Sequence, residues 1–358
     1  MDNSPPVRLA LSMGDPTGIG PEIICKAIAH LRSSGWLETH AHLTLFADAP
    51  LMHFTADELG LPNLFDDQAS PHVRLVHTTV PVTGDQRPGA LAAAGRISHR
   101  CVERAIDAVI GEENGDSPGD QAAQTKPTAM PEQLCEAIVT APISKEAWHA
   151  AGIDYPGHTE LLAERFDSPR SAMLFMGPTL RVILVTIHIP LRDVPRKVNP
   201  ARVLDAIELG NAACLALGVK QPRIAVAGIN PHAGENRLFG SEDAELILPA
   251  VQRAQERGLN VTGPLPGDTV FLAAAKGHHD LVVAMYHDQG LIPVKLLDRA
   301  HAVNVTVGLK HQGKPVVRTS PAHGTANDIA GKNIADATSM IESITLATSM
   351  VQRNRQHA

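Results

Sequence analysis

Short apolar runs and amphipathic stretches alternate along the chain. Arg8–Met13 (RLALSM) is an apolar run that stops at Gly14-Asp15-Pro16. Pro21 and Glu22 then open an amphipathic segment, PEIICKAIAHL, with proline where a first helical turn tolerates it. Ala41–Ala47 and Val73–His77 read as strands, Leu91–Ile110 has helical spacing, and Ala137–Thr140 is another strand ending at Ala141-Pro142. Farther on, Arg181–Ile187, Arg223–Ile229 and Asp280–Tyr286 predict strands. Asn199–Leu217 and Glu242–Arg257 predict helices between them, and Ala335–Gln352 a closing helix. Strands apolar on both faces, separated by helices, indicate a mostly parallel sheet flanked by helices, so the expected class is α/β. Gly111–Glu132 is polar, rich in Gly and Pro and without periodicity, which predicts a flexible surface insertion.

The 358 residues exceed the length at which one core usually stops growing, about 250–300, so two lobes are expected. The balance of 31 Lys+Arg against 38 Asp+Glu gives −7, spread without a basic stripe, which argues against a nucleic-acid partner. Aromatic residues make up only 3% of the chain, too few for base-stacking platforms. No apolar run reaches the roughly 18 residues of a membrane-spanning helix. The start, MDNSPPVRLALSMGDPTG, has no basic segment followed by an apolar block, so no signal peptide is expected. Cys25, Cys101, Cys135 and Cys214 are far apart and form no CxxC, which fits reduced thiols and a cytoplasmic setting.

Three of the predicted strands run into a histidine set among turn residues: His188 in VTIHIP, His232 in GINPHAG and His287 in AMYHDQG. Ligands of open α/β sheets bind beyond the carboxyl ends of strands, so these imidazoles are candidates for one metal site. Zn²⁺ accepts three protein ligands and keeps a position open for substrate, while imidazole also suits Co²⁺, Fe²⁺ or Ni²⁺. A single histidine after a strand is more often a hydrogen-bonded structural residue; equivalent placement of all three favours the ligand reading. Asp268, in the Pro/Gly-rich loop GPLPGDT between helix and strand, is a candidate metal ligand or acid/base, with an Asx-turn or N-cap as the plainer reading. Asp288 could orient the adjacent imidazole. In HGTANDIAGK (His323–Lys332), Gly324 and Thr325 would let the backbone approach a flat ligand, and Asp328 could accept from a ribose diol. No GxGxxG follows a strand, so a Rossmann site is not supported.

HGTANDIAGK followed by IADATSMI resembles the adenine-side NAD loop of the β-decarboxylating dehydrogenases, the isopropylmalate and isocitrate dehydrogenase superfamily. More closely, GDPTGIGPEI, TAPISKEAW, YPGHTELLAE, INPHAGENRLFGSED, GPLPGDTVF, YHDQGLIPVK and VNVTVGL run in the order of the 4-hydroxythreonine-4-phosphate dehydrogenase family across most of the chain. The resemblance implies two α/β/α lobes with mostly parallel sheets. Residues 1–145 with 300–358 would form the NAD-side lobe, and 146–299 the metal and dimerisation lobe. It implies a homodimer in which His188, His232 and His287, shared between subunits, hold a divalent metal (Zn²⁺, Mg²⁺ or Co²⁺). His158, Thr159, Lys295, Asn304 and Arg318 would contact the phosphorylated substrate. His323, Gly324, Thr325, Asn327 and Asp328 would hold NAD, or NADP.

The implied reaction is oxidation and decarboxylation of 4-(phosphooxy)-L-threonine to 3-amino-2-oxopropyl phosphate and CO₂, as in vitamin B6 synthesis. Asp268 and Lys295 are the candidates for its proton steps. This sequence departs from the family pattern where Lys310-His311-Gln312-Gly313-Lys314 intervenes before Pro315, and where Pro321-Ala322 replaces the usual acid before HGT. Both departures lie near the substrate and NAD region. They leave open a catabolic dehydrogenase of 4-phosphoerythronate or 4-phosphothreonate. From the residues alone, a three-histidine zinc lyase or hydrolase without NAD, or an inactive metal-binding homologue, also remains.

Overall fold

A computed structural model describes residues 5–78, 90–111 and 135–357. Apart from Gly111, the predicted insertion Gly111–Glu132 lies outside the described residues. The chain begins with β1 (Val7–Ser12), α1 (Gly20–Ser33), α2 (Trp36–His40), β2 (Ala41–Ala47), α3 (Ala49–Glu58), β3 (Val73–His77), α4 (Ala90–Ile110), β4 (Ala137–Thr140), α5 (Lys145–Ala150) and α6 (His158–Arg165). It continues through β5 (Ala172–Met176), β6 (Arg181–Leu184), α7 (Val194–Lys197), α8 (Pro200–Ala216), β7 (Ile224–Ala227), α9 (Leu248–Glu256), β8 (Val261–Leu265), α10 (Gly267–Ala275), β9 (Leu281–Ala284), α11 (His287–Asp298) and β10 (Val303–Val307). Last come β11 (Lys310–His311), β12 (Lys314–Pro315), β13 (Val317–Pro321) and α12 (Thr338–His357).

Two compact units divide this chain: Met1–Asp167 with Lys310–Arg355, and Ser168–Leu309 with Gln356–Ala358. The expected divisions at 145/146 and 299/300 therefore fall later. α5 and α6 stay with the first unit because α5 packs on α4, and β10 stays with the second because it pairs with β5.

The first unit is built on parallel strands in the order β3-β2-β1-β4-β13. Its core includes Leu9, Leu11, Ile23, Ile24, Leu43 and Leu45, all at most 1% exposed. Each such side chain stabilises the fold by about 1.5–3 kcal/mol through burial. Local sequence sets the helix starts: the Asp48 carboxylate accepts from Leu51 N at 3.0 Å to cap α3, and Ser144 Oγ accepts from Ala147 N at 3.1 Å to cap α5. Gly95 of α4 faces the Ala147 carbonyl of α5 so closely that any Cβ there would collide with it.

The second unit orders its strands β10-β5-β6-β9-β7-β8. β6, β9, β7 and β8 run parallel, whereas β10/β5 and β5/β6 are antiparallel. Neither β5 nor β10 was among the strands predicted from apolar runs. The predicted strands here are trimmed at their carboxyl ends. Gly228 N turns to Leu265 O after a register shift in β7, so the strand ends before Ile229. The helix predicted over Glu242–Arg257 opens with a π-helical turn, Asp243–Ile247, before α9. α11 lies close against the sheet because position 290 is glycine: a Cβ there would stand 2.6 Å from Leu184 Cδ2 and 2.9 Å from Val182 Cγ1.

No helix among the described residues is long and apolar enough to cross a membrane. All four cysteines are free and buried, and burial pushes their thiols up to about 11 or 12, so they remain unreactive thiols at neutral pH.

Candidate functional site

In the second unit, β9 delivers His287. Tyr286 is extended (φ −146°, ψ 164°) and the chain then enters α11 with His287 as its first residue. The sequence placed this histidine in a turn; instead it heads a helix, because apolar spacing resumes at once through Leu291 and Val294, both buried. His287 Nδ1 lies 2.7 Å from Asp288 Oδ1. A carboxylate there makes Nδ1–H the donor and leaves Nε2 as the available ligand atom. His188 follows β6, and its ring centroid is 5.7 Å from that of His287, with the planes at 42°. Two imidazoles bound to one tetrahedral ion at about 2.0–2.1 Å would have centroids roughly 5–6 Å apart. This pair therefore fits the imidazole share of a divalent metal site.

His232 does not join that pair within one chain. It is exposed, and its ring sits beside Phe239 with centroids 6.1 Å apart. Among the described residues, no three His, Cys, Asp or Glu side chains gather at metal-binding distance. The loop carrying His232 is strained: His232 (φ 52°), Ala233 (53°), Glu235 (40°), Asn236 (52°) and Arg237 (74°) are all left-handed. Such non-glycine residues persist only where their surroundings enforce them. Just before this run, Asp243, 2% exposed, accepts through its carboxylate from Ile229 N at 2.8 Å and Asn230 N at 3.1 Å.

A cavity of about 640 Å³ opens beside this loop, lined by His232, Asp268, Asp288 and Gln289 among others. Asp268 is not in a loop between helix and strand as predicted. It sits exposed in the first turn of α10, which begins directly after Pro266 because that proline fixes the backbone entering the helix. Lys295 is exposed on α11 and is not part of the cavity wall. Asn304 lies on β10 with its Oδ1 covered and without a hydrogen-bond partner.

The remaining expected substrate residues are in the first unit. His158 begins α6, with Thr159 next in the same turn. His158 is half-buried as a residue, and its ring Nε2 is covered and has no partner. Burial, followed by the Arg318 charge, holds its pKa well below the ordinary 6.5, so the imidazole is neutral at pH 7. Arg318, on β13, is 2% exposed and donates from Nη2 to Thr140 Oγ1 at 2.6 Å. Burial pushes its guanidinium down to about 9, which still leaves it charged at neutral pH. The Lys310–Lys314 departure folds as a hairpin: β11 pairs with β12 across Gln312 (φ 49°) and Gly313 (φ 79°). Arg318 consequently keeps its parallel register opposite Ile138.

The 323–332 segment is irregular, as its composition predicts. Thr325 O accepts from Ile19 N at 2.9 Å, and Gly18 leaves no room for a Cβ against Thr325. Asn327 Nδ2 donates to Thr17 Oγ1 at 3.3 Å, and Thr17 donates to Asp15 Oδ1 at 2.7 Å through that hydroxyl. The GDPTG block thus supports this loop. Asn327, Asp328 and Gly324 are exposed, and His323 Nε2 is covered and unpartnered. Asp15, Thr17, Asp243 and Gln289 were not singled out from sequence. Their only signal was membership in the GDPTG, GSED and YHDQG blocks.

Comparison with known proteins places this geometry. A 4-hydroxythreonine-4-phosphate dehydrogenase from Beijerinckia indica is 41% identical over 96% of this chain and 94% of that protein. A D-threonate 4-phosphate dehydrogenase from Cupriavidus necator is 42% identical over 96% of this chain and 97% of that protein. The crystal structure of a 4-hydroxythreonine-4-phosphate dehydrogenase from Klebsiella pneumoniae superposes with a TM-score of 0.74 at 38% identity, covering 97% of this chain and all of that one (100%). These relatives are oxidoreductases by name, and the same enzyme class is assigned here. Residues 39–347 match the family described as "Pyridoxal phosphate biosynthetic protein PdxA", and the chain belongs to that family.

Proposed function

We propose that this chain oxidises the hydroxyl of a four-carbon, 4-phosphorylated acid using NAD⁺, and that the resulting β-keto acid loses CO₂. The observation that carries the reading is the His188–His287 pair, at 5.7 Å, with Asp288 fixing the tautomer of the second imidazole. His188, His232 and His287 would hold a divalent metal, with the donor that one chain does not bring together supplied by a second copy in a homodimer. Exposed Ile292 (60%) and Leu296 (78%), on the α11 wall of the cavity, give such a copy an apolar surface to cover. When bound, the metal acts as a Lewis acid that lowers the pKa of the substrate hydroxyl and stabilises enolate charge.

The side chains do the rest. Arg318 stays charged and rigidly held by Thr140, suited to a phosphate or carboxylate. Neutral His158 offers Nε2 to the substrate, and Thr159 and Asn304 supply further polar contacts. Asp268 and Lys295 take up and return protons at the reacting carbon and oxygen. The loop His323, Gly324, Thr325, Asn327 and Asp328 binds NAD⁺, with Asp328 accepting from a ribose hydroxyl.

The first candidate substrate is 4-(phosphooxy)-L-threonine. D-threonate 4-phosphate is the second, favoured by the Cupriavidus necator relative at 42% identity. Measuring kcat/KM for both with NAD⁺ separates them. NADH formation from neither would reject the proposal.

A further inference from the structure

Gln289 makes two backbone contacts that join histidine-bearing segments. Its Oε1 accepts from Met285 N at 2.6 Å, at the end of β9 where the chain turns into α11 and His287. Its Nε2 donates to Gly228 O at 2.7 Å, at the root of the loop that carries His232. Both partners are backbone groups of fixed polarity, so the orientation of the amide is unambiguous. The same Nε2 lies 3.2 Å from the position a Cβ would take at Gly267, next to Asp268. One side chain thus touches the approaches to His232, His287 and Asp268.

A simpler role has to be separated from this one. Gln289 is the third residue of α11, where Glu or Gln commonly reaches back to a backbone N–H at the helix start. That accounts for the Met285 contact. It does not account for the donation to Gly228 O, which serves no helix end. The Gly228–Asn230 backbone is also held by Asp243, through Ile229 N and Asn230 N. Three consecutive residues before the left-handed stretch are therefore fixed by two side chains from different elements.

We propose that Gln289 is a positioning residue that holds the His232 loop against the His287 helix of its own chain, and so presets the donors that each copy presents to the two metal sites of the proposed dimer. This inference rests on the metal reading above. Partners that orient ligands from behind change metal affinity by about 10–100-fold when removed.

The test is Q289E in the full-length protein. Glutamate keeps an acceptor for Met285 N, so helix capping survives, but it cannot donate to Gly228 O. Zn²⁺ affinity is read by competition with a chelator, alongside Tm. The expected result is a cooperatively folded protein with Zn²⁺ affinity lowered about 10–100-fold. Wild-type affinity in folded Q289E overturns the positioning role while leaving the metal reading intact. Wild-type protein that binds no divalent metal overturns the metal reading, and this inference with it. Should Q289E not fold, Q289A, which places a good helix former in that turn, is judged by the same affinity criterion.

Discussion

Trp148 stands edge-on to His158, with ring centroids 5.6 Å apart and planes at 81°, while its indole N–H donates to Ser98 Oγ at 2.9 Å. Trp148 is fully buried. It is thus both a core residue of the first unit and the wall that sets the histidine at the start of α6. Trp148→Ala is expected to destabilise the protein by about 3–5 kcal/mol, the range for truncating a buried aromatic. Trp148→Phe keeps most of the packing and loses the hydrogen bond, so its loss should be smaller. Urea unfolding of both variants checks the order; equal stability of Trp148→Ala and wild type would remove Trp148 from this role.

The depressed pKa of His158 makes acid destabilising. Between the ordinary value of 6.5 and the lower folded value, the unfolded chain binds a proton that the folded chain refuses. Stability is therefore full above about pH 6.5 and falls as pH drops through that window, by at most about 1.4 kcal/mol per pH unit for this group. His99, whose pKa is lowered mainly by burial, adds a contribution of the same sign. His158→Gln should lose less stability than wild type between pH 7 and pH 5. An identical loss in the two proteins contradicts the assignment.

Asp328 is exposed in the loop that Thr17 and Ile19 support. Asp328→Ala should raise KM for NAD⁺ more than KM for the phosphorylated substrate, because the variant removes only the proposed ribose acceptor. Steady-state kinetics with each substrate varied in turn would show the pattern, and the reverse split would break the ribose reading.

The proposed sharing of the metal site between copies can be tested by complementation. His188→Ala and His232→Ala should each be inactive and unable to retain metal. Mixed and refolded in equal amounts, they should regain about a quarter of wild-type sites, since half the dimers are mixed and each mixed dimer rebuilds one site of two. Activity that stays at zero after mixing, with mixed dimers demonstrated, argues that His188 and His232 do not serve one site from opposite copies.

Much of this was legible in the chain. Parallel strands that are apolar on both faces announce themselves, so β1, β2, β4, β7 and β9 were visible within a few residues. β5, β8, β10 and β13 were not among the predicted strands; β8 was hidden because its Gly263 and Pro264 read as part of a loop. His287 was visible as a candidate, yet its place at a helix start was hidden by the turn-like HDQG that precedes the buried Leu291 and Val294. The left-handed run at His232 had no signal, since Ala233 and Arg237 are not residues that prefer that conformation. Gln289 was invisible, because its two partners are backbone groups far from it in kind and, for Gly228, in sequence.

The most direct measurement is NADH formation by the purified protein given NAD⁺ and 4-(phosphooxy)-L-threonine or D-threonate 4-phosphate, before and after exhaustive chelation and again after Zn²⁺ or Co²⁺ is restored. The account predicts turnover of at least one substrate that disappears with the metal and returns with it. Turnover unaffected by chelation would contradict the histidine site, and no NADH from either substrate in metal-loaded protein would contradict the proposed reaction.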